Sequence, residues 1–253
     1  MFVVTGGGTG IGRALAQALA SRGNKVLIVG RHENTLAETA DFSPLISFLC
    51  ADVSTHEGRQ TIATQLKYII SLAGLIHNAG TIEPIVPIAA VDELSWHHTM
   101  ATNLDGPLFL TQILLDKLKH GRVLHIGSGA AYFPVTGWAA YCVSKAALSM
   151  LTRCWQLESR STAFTSVMPG IIDTDMQAII RHARFMDEEK RHFFQVLKED
   201  RRLLSPETVA LFLCWLLLDV SKEQFISQEW DIYDKSHHSS WLVAPHEVPE
   251  LEE

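Results

Sequence analysis

Seven short apolar runs recur along the chain, and several of the stretches between them carry apolar residues at helical spacing. The runs are Phe2 to Val4, Lys25 to Val29, Ile46 to Ala51, Leu75-Ile76, Arg122 to Ile126, Phe164 to Val167 and Trp230 to Tyr233. Runs this short predict strands. Their continuity, clearest in Val26-Leu27-Ile28-Val29, predicts a parallel sheet covered on both faces. Leu15, Ala18 and Leu19 mark one amphipathic helix, and a long buried helix follows from Tyr141 through Ala146, Ala147, Leu148, Met150 and Leu151. Leu94 to Lys119 is largely helical, interrupted near Asn103 and at Gly106-Pro107, and Val209 to Leu218 reads as another buried helix. From Gln177 to Arg202 charged residues interleave with Phe185, Phe193 and Phe194, which predicts a helical lid or a solvated helix pair. Alternating strands and helices predict one α/β domain over residues 1–241 with a lid near 175–204. The tail, 242–253, holds two prolines and four glutamates and is expected to be mobile.

Composition narrows the setting. A length of 253 residues, 47% of them hydrophobic, suits one large domain. The formal net charge of -7, with no Lys/Arg run, argues against a nucleic-acid or anionic-membrane surface. The first residues enter a strand at once, so no export signal is expected, and the longest apolar run is too short to span a bilayer. Cys50, Cys142, Cys154 and Cys214 form no Cys-x-x-Cys pair, which fits neither a disulfide framework nor a zinc site and implies a reducing, cytoplasmic setting. His97-His98 and His237-His238 are neighbours whose rings cannot face one metal from a regular element, so no metal is expected.

The candidate chemistry begins at Thr5-Gly6-Gly7-Gly8-Thr9-Gly10-Ile11-Gly12, between the first strand and the first helix. Such a turn is a nucleotide phosphate site: glycines let the backbone come close, and the helix N-terminus presents unpaired N–H groups. The second strand ends in Gly30-Arg31-His32, with no carboxylate to meet a ribose hydroxyl. Arg31 there suits a 2′-phosphate, with Arg13 available as a second cation, and favours NADP over NAD. Asp52-Val53 follows the third strand; Asp52 either meets the adenine amino group or serves as a turn carboxylate. His77-Asn78-Ala79-Gly80 ends the fourth strand and Gly127-Ser128-Gly129 the fifth, both at the crevice where open α/β sheets bind ligands. Ser128 either bonds a substrate carbonyl oxygen or is a turn serine. Tyr141 and Lys145, four apart on a helix, share one face. An ammonium beside a phenol favours the phenolate, so Lys145 is expected to draw Tyr141 toward the working range for proton transfer. Asn103 is either an ordinary helix break or a deliberate opening of the ladder.

In this order the glycine turn, Asn78-Ala79-Gly80, Asn103, Ser128, Tyr141 and Lys145 resemble the short-chain dehydrogenase/reductase family over nearly the full length, with Ser128 thirteen positions before Tyr141 as that family has it. The resemblance implies a single-domain Rossmann-type doubly wound parallel sheet flanked by helices, NADP(H) as cofactor, and a catalytic tetrad of Asn103, Ser128, Tyr141 and Lys145. It gives cofactor contacts to Gly6, Gly8, Thr9, Gly10, Ile11, Gly12, Arg31, Asp52, Val53, Asn78, Ala79 and Gly80, with Tyr141 and Lys145 shared. It sets Pro169, Gly170 and Thr174 against the nicotinamide, with Ile172 and Met176 among the cofactor contacts. A homodimer or homotetramer packed partly through the Tyr141 helix is implied as well. Asp173 to Gln177 and the final Tyr233-Asp234-Lys235 are similar to sepiapterin reductases and microbial benzil reductases. In sepiapterin reductases the matching aspartate anchors the pterin, so Asp234 is either a substrate anchor or a strand-end carboxylate. His77 stands where the family usually has Asn, and Gly127 where it has the first serine of a pair. The implied reaction is NADPH-dependent reduction of a ketone or dicarbonyl, with Ser128 and Tyr141 on the substrate oxygen and an apolar pocket near Trp138, Met176 and Phe185. The alternative is a non-catalytic NADP-binding sensor or scaffold.

Overall fold

The computed structural model describes residues 1–250. Six of the apolar runs become strands with little change of boundary: β1 (Phe2–Thr5), β2 (Val26–Gly30), β3 (Ile46–Cys50), β4 (Gly74–His77), β5 (Arg122–Ile126) and β6 (Ala163–Met168). The closing strand β7 is only Trp230–Asp231, shorter than the expected Trp230 to Tyr233. Tyr233 is diverted because its hydroxyl accepts from the Ile171 amide at 3.0 Å, and Asp234 instead caps a short 3-10 helix, Lys235–Ser240. The strands pair in parallel in the order β3-β2-β1-β4-β5-β6-β7, with Val4 beside both Ile28 and Ile76 and His77 beside His125.

Helices cover both faces, as the continuous apolar strands require. On one side Val4, Ile28, Ile76 and Leu124 meet α1 (Gly10–Ser21) and, later in the chain, the Pro206–Leu218 helix. After α1 comes α2 (Glu33–Ala40), then α3 (His56–Gln65), which covers the other side. There Val3, Leu27, Leu75 and Val123 pack with Ile62 and Leu66 and with Leu110 and Leu114. The 94–119 segment is α4 (Glu93–Met100), one π-helical turn over Ala101–Asp105, α5 (Gly106–Leu114) and a 3-10 turn. The long helix α6 (Ala139–Glu158) carries Tyr141. The expected lid is two helices, α7 (Asp175–Arg181) and α8 (Glu188–Glu199), followed by α9 (Pro206–Leu218) and α10 (Lys222–Phe225).

The strand order reverses between β1 and β4, which puts a crevice beyond their carboxyl ends. The glycine turn, Asn78 and Ser128 all leave the sheet at that end. The tail from 242, expected to be mobile, lies along the body as far as Glu250. Leu242 and Val248 pack on the core, His246 Nδ1 stands 3.1 Å from Thr208 Oγ1, and Arg202 donates to the Glu250 carbonyl at 2.6 Å. Residues 251–253 lie outside the described residues.

Candidate active site

The glycine turn is shaped by close approach of backbone to backbone. A β-carbon on Gly12 would stand 2.2 Å from the Gly6 carbonyl oxygen and 2.6 Å from Asn78 Nδ2, so only glycine lets α1 start against β1. Gly6 has φ +66°, a left-handed conformation that costs glycine little. Thr5, not singled out in the sequence, ties the turn to β4: its hydroxyl donates to the Ile76 carbonyl and accepts from the amides of Asn78 and Ala79. Asn78 donates from Nδ2 to the carbonyls of Thr5 and Gly6, at 3.0 and 3.1 Å. In this structure Asn78 braces the cradle from behind. Thr9 precedes α1 without a side-chain capping bond, which leaves the first N–H groups of that helix for an anion.

Next to the cradle the four expected catalytic residues come together. Lys145, buried on α6, donates to the Ile126 carbonyl at 2.7 Å, at the end of β5 two residues before Ser128. Ser128 is hydrogen-bonded to Tyr141, and its oxygen also accepts from the Ala130 amide at 3.2 Å. Asn103 sits in the π-helical turn, so the break is a real opening of the ladder. Its Oδ1 accepts from the Thr81 amide at 2.9 Å, and its Nδ2 donates to the Thr81 carbonyl at 2.8 Å and to Ser144 Oγ at 2.9 Å. Ser144 lies between Tyr141 and Lys145 on α6, so Asn103 is locked to that helix. Gly80 fills the space between them: a β-carbon there would be 3.3 Å from Asn103 Oδ1 and 3.7 Å from Lys145 Nζ.

Burial sets the protonation states. It pushes the Tyr141 phenol up from its ordinary value, and the Ser128 hydroxyl opposes this only in part. Burial also brings Lys145 down to about 8. The expected downward pull of Lys145 on Tyr141 is not what sets its state: desolvation dominates, and the lowering influence is the Ser128 hydroxyl. Trp138 lies edge-on to the Tyr141 ring at 5.8 Å, and Phe194 of α8 stacks on Trp138 at 6.0 Å. Ile82, Ile180, Met186 and Leu197 complete this cluster, with Met176 against its margin. Phe185, expected in the pocket, is exposed.

Below the site His77 and His125 stack at 5.1 Å across neighbouring strands. Each meets a threonine from a covering helix: His77 Nε2 is 2.8 Å from Thr111 Oγ1 and His125 Nδ1 is 2.9 Å from Thr152 Oγ1. Burial depresses His125 to about 3, with Lys145 adding to the effect, and burial followed by His125 holds His77 well below its ordinary value.

The outlying expectations divide. Arg31 is exposed at the end of β2. Arg13 is committed elsewhere, its Nε to the Gly8 carbonyl at 3.0 Å and its guanidinium to Glu38 at 3.1 Å, which offsets its charge. Asp52 is a turn carboxylate: Oδ1 accepts from the Ser54 amide and hydroxyl at 2.9 and 2.7 Å. Burial would raise it, but those bonds, then Arg31 and His98, bring it below its usual range. Val53 is buried beside Leu110 in the core. Thr174 reaches the cradle, its Cγ2 being 3.1 Å from where a Gly10 β-carbon would stand. Pro169 is buried, and Gly170, at φ +83°, packs against Leu204, Ile232 and the Tyr233 hydroxyl. Ile172 is buried and forms a bridge to Leu204. Asp234 is exposed, with its carboxylate accepting from the Ser236 amide at 2.9 Å.

A parallel doubly wound sheet with a glycine cradle at its switch point is the architecture of nucleotide-dependent oxidoreductases, and here Tyr141 and Lys145 stand on one face of α6 beside that cradle. The chain belongs to the short-chain dehydrogenase/reductase family, whose model, described as short chain dehydrogenase, matches residues 1–184. A benzil reductase ((S)-benzoin forming) from Bacillus cereus is 33% identical over 223 residues, 82% of this chain and 90% of that protein. The sepiapterin reductase of Mus musculus is 32% identical over 256 residues, 92% and 96% of the two chains. Among solved structures, a short-chain dehydrogenase/reductase from Saccharomyces cerevisiae superposes with a TM-score of 0.88 at 27% identity, over 95% of this chain and 98% of that one.

Proposed function

We propose that the protein is an NADPH-dependent carbonyl reductase that converts a ketone or dicarbonyl, benzil-like or sepiapterin-like, to an alcohol. The observation that carries this reading is a buried Tyr141 with Ser128 as its hydrogen-bond partner and Lys145, likewise buried, on the same face of α6. The residues present fit a dinucleotide. A side chain on Gly8 would come within 2.5 Å of Thr35 Oγ1 and crowd the cradle, the α1 N-terminus is uncapped, and Arg31 stands exposed where a 2′-phosphate would lie. Gly6, Gly8, Thr9, Gly10, Ile11 and Gly12 would hold the phosphates, and Thr174 with Pro169 and Gly170 would flank the nicotinamide. When bound, the reduced nicotinamide supplies a hydride to the carbonyl carbon.

The chain's own residues do the rest. Ser128 holds the carbonyl oxygen. Tyr141 gives its proton to that oxygen as negative charge develops, and its raised pKa keeps the proton available at neutral pH. Lys145, at about 8, is mostly an ammonium at neutral pH and balances the phenolate that forms. The Asn103 side-chain amide is used by Thr81 and Ser144 and so locks the π-helical turn to α6 beside Lys145, where Asn103 would support a water that passes on a replacement proton. The apolar cluster of Trp138, Ile82, Met186 and Phe194 suits an apolar dicarbonyl. A homodimer or homotetramer packed through α6 fits the exposed Val143, Met150 and Leu157, which recur seven apart on its outer face.

NADPH and NADH consumption against sepiapterin, benzil and a simple aliphatic ketone tests the reading. The wild type is expected to prefer NADPH, and Tyr141→Phe to lose turnover by about 10²- to 10⁴-fold with NADPH binding retained. Near-normal turnover in Tyr141→Phe would overturn the assignment. In the same assay, sepiapterin reduction that collapses in Asp234→Ala points to a pterin anchor, and benzil reduction that survives points to a diketone reductase in which Asp234 only caps its turn.

A further inference from the structure

Ser128 lies between Gly127 and Gly129 at the end of β5, and glycine on both sides gives this loop more conformational freedom than any other pair of neighbours would. Gly129 faces open space, so packing does not restrain it. The loop's own bonds, from the Ala130 amide to Ser128 Oγ and from the Ala131 amide to the Ser128 carbonyl, are local. The Gly127 amide ties the strand end to the Val167 carbonyl, and Ala130 packs in the cluster that holds Tyr141, so beyond the Ser128–Tyr141 contact itself only apolar packing relates the loop to α6. Yet the proposed chemistry needs the Ser128 and Tyr141 hydroxyls on one oxygen.

A hydrogen-bonded chain four residues further on supplies the restraint. One 3-10 turn, Gly129–Ala131, leads to Tyr132, whose hydroxyl is 2.8 Å from Ser149 Oγ and also bonds the Glu229 carboxylate. The second oxygen of Glu229 accepts from Ser166 Oγ of β6 at 2.5 Å. Ser149 is buried on α6, four residues beyond Lys145 and eight beyond Tyr141, hence on nearly the same face. The chain Ser149, Tyr132, Glu229, Ser166 thus joins the loop to α6, to β6 and to the segment before β7. The Tyr132 ring is 44% exposed, so its hydroxyl and not its burial fastens it. Glu229 also lies alongside the strand end from which Ser128 departs: a β-carbon on Gly127 would be 3.5 Å from its Oε1.

We infer that Tyr132 and Glu229 are positioning residues, a clamp that fixes the Ser128 loop against the helix carrying Tyr141. The inference rests on the carbonyl-reductase reading for its kinetic consequence and on geometry alone for its structural one. Tyr132→Phe removes the clamping hydroxyl and keeps the ring; Glu229→Gln keeps the shape and one carbonyl acceptor. The chain has four tyrosines, so ¹³C labelling at tyrosine Cζ gives four resonances that Tyr→Phe variants assign. At neutral pH the Tyr141 resonance reports its bond to Ser128. It is expected to move in Tyr132→Phe and in Glu229→Gln in the direction that Ser128→Ala moves it. A resonance that stays at its wild-type position in Tyr132→Phe overturns the clamp.

The kinetic test is a double-mutant cycle. Tyr132→Phe is expected to lower kcat by about tenfold to hundredfold, as misplaced catalytic groups do, with KM and NADPH binding little changed. In a Ser128→Ala background it is expected to cost nothing further; its full cost there would mean that Tyr132 does not act through Ser128. If the wild type reduces no carbonyl compound, the carbonyl-reductase reading fails, while the Tyr141 resonance still decides the clamp. Tyr132→Phe alone is sufficient should Glu229→Gln not fold.

Discussion

The glycine cradle and the α7–α8 pair, the expected lid, are held by different forces. In the cradle, position is set by hard contact and by buried backbone bonds: Gly12 against the Gly6 carbonyl, Thr5 and Asn78 stitching β1 to β4. On the α8 side, Phe194 stacks on Trp138, which meets the Tyr141 ring edge-on, and Leu197 joins the same apolar cluster, while Glu188, Glu189 and Lys190 on the same helix are exposed. Close-packed backbone has one arrangement, whereas a ring stack on a charged helix can part and reform at modest cost. Under the proposed function, the cofactor would meet the fixed surface of the cradle and the substrate would meet the side covered by α8.

The largest effect separating the two regions should come from Gly12→Ala. The added methyl would meet a carbonyl oxygen at 2.2 Å, and that oxygen belongs to the backbone of a turn already fixed by Asn78. Relief requires moving α1 off the sheet. We expect a loss of about 3 kcal/mol or more in urea unfolding, or no folded protein at all. A stability within 1 kcal/mol of wild type, taken as about the lower end of overpacking costs, would mean that the cradle is as yielding as the lid.

The same contrast explains what is legible in the chain. Six strands, the glycine turn and the gathering of Asn103, Ser128, Tyr141 and Lys145 can be read from it, because each rests on local periodicity or on residues that leave neighbouring strands at one end of the sheet. The protonation of Tyr141 cannot. It depends on burial in a cluster that Phe194 and Met186 join from far downstream in the chain, which the spacing of Tyr141 and Lys145 does not encode. Arg13 is no free second cation for a similar reason, since Glu38 on α2 takes its charge. Asp52 has two roles open to it in the sequence, and only the folded turn shows Ser54 occupying one of its oxygens. The last strand ends early because the Tyr233 hydroxyl is used by Ile171 across the fold.

A second effect belongs to the sheet and should leave the lid untouched. His77 and His125 are neutral in the folded state, with His125 at about 3 and His77 well below its ordinary value, against about 6.5 in the unfolded chain. Below pH 6.5, roughly the unfolded value, the unfolded state takes up protons that the native state refuses, so stability falls as the solution is acidified. Each histidine contributes at most about 1.4 kcal/mol per pH unit in this window. His237, also lowered by burial, adds to the slope. Urea midpoints measured from pH 7.5 down to about pH 5, above the range where most carboxylates titrate, are expected to drop steadily. His77→Asn should flatten that slope; an unchanged slope would mean that the pair takes up its protons without unfolding.

The smallest effect on global stability, and the one most specific to the lid, should come from Phe194→Ala. Phe194 is 5% exposed, and its removal takes away the stack on Trp138 and loosens the apolar cluster in which Tyr141 is buried. An aromatic pair contributes about 0.5–1.5 kcal/mol beyond its buried area, but α8 packs at the margin of the fold, so this loss falls mainly on lid closure. We expect a urea midpoint near that of wild type, faster hydrogen exchange confined to α7 and α8, and, in the proposed carbonyl reduction, a substrate KM that rises more than kcat falls. Admitting water would also stabilise the phenolate and lower the Tyr141 pKa, since burial is the main cause of its elevation. A Phe194→Ala protein that melts as early as a cradle variant would show that the lid is part of the cooperative core. Unchanged exchange and an unchanged Tyr141 would show that other members of the cluster hold the lid without it.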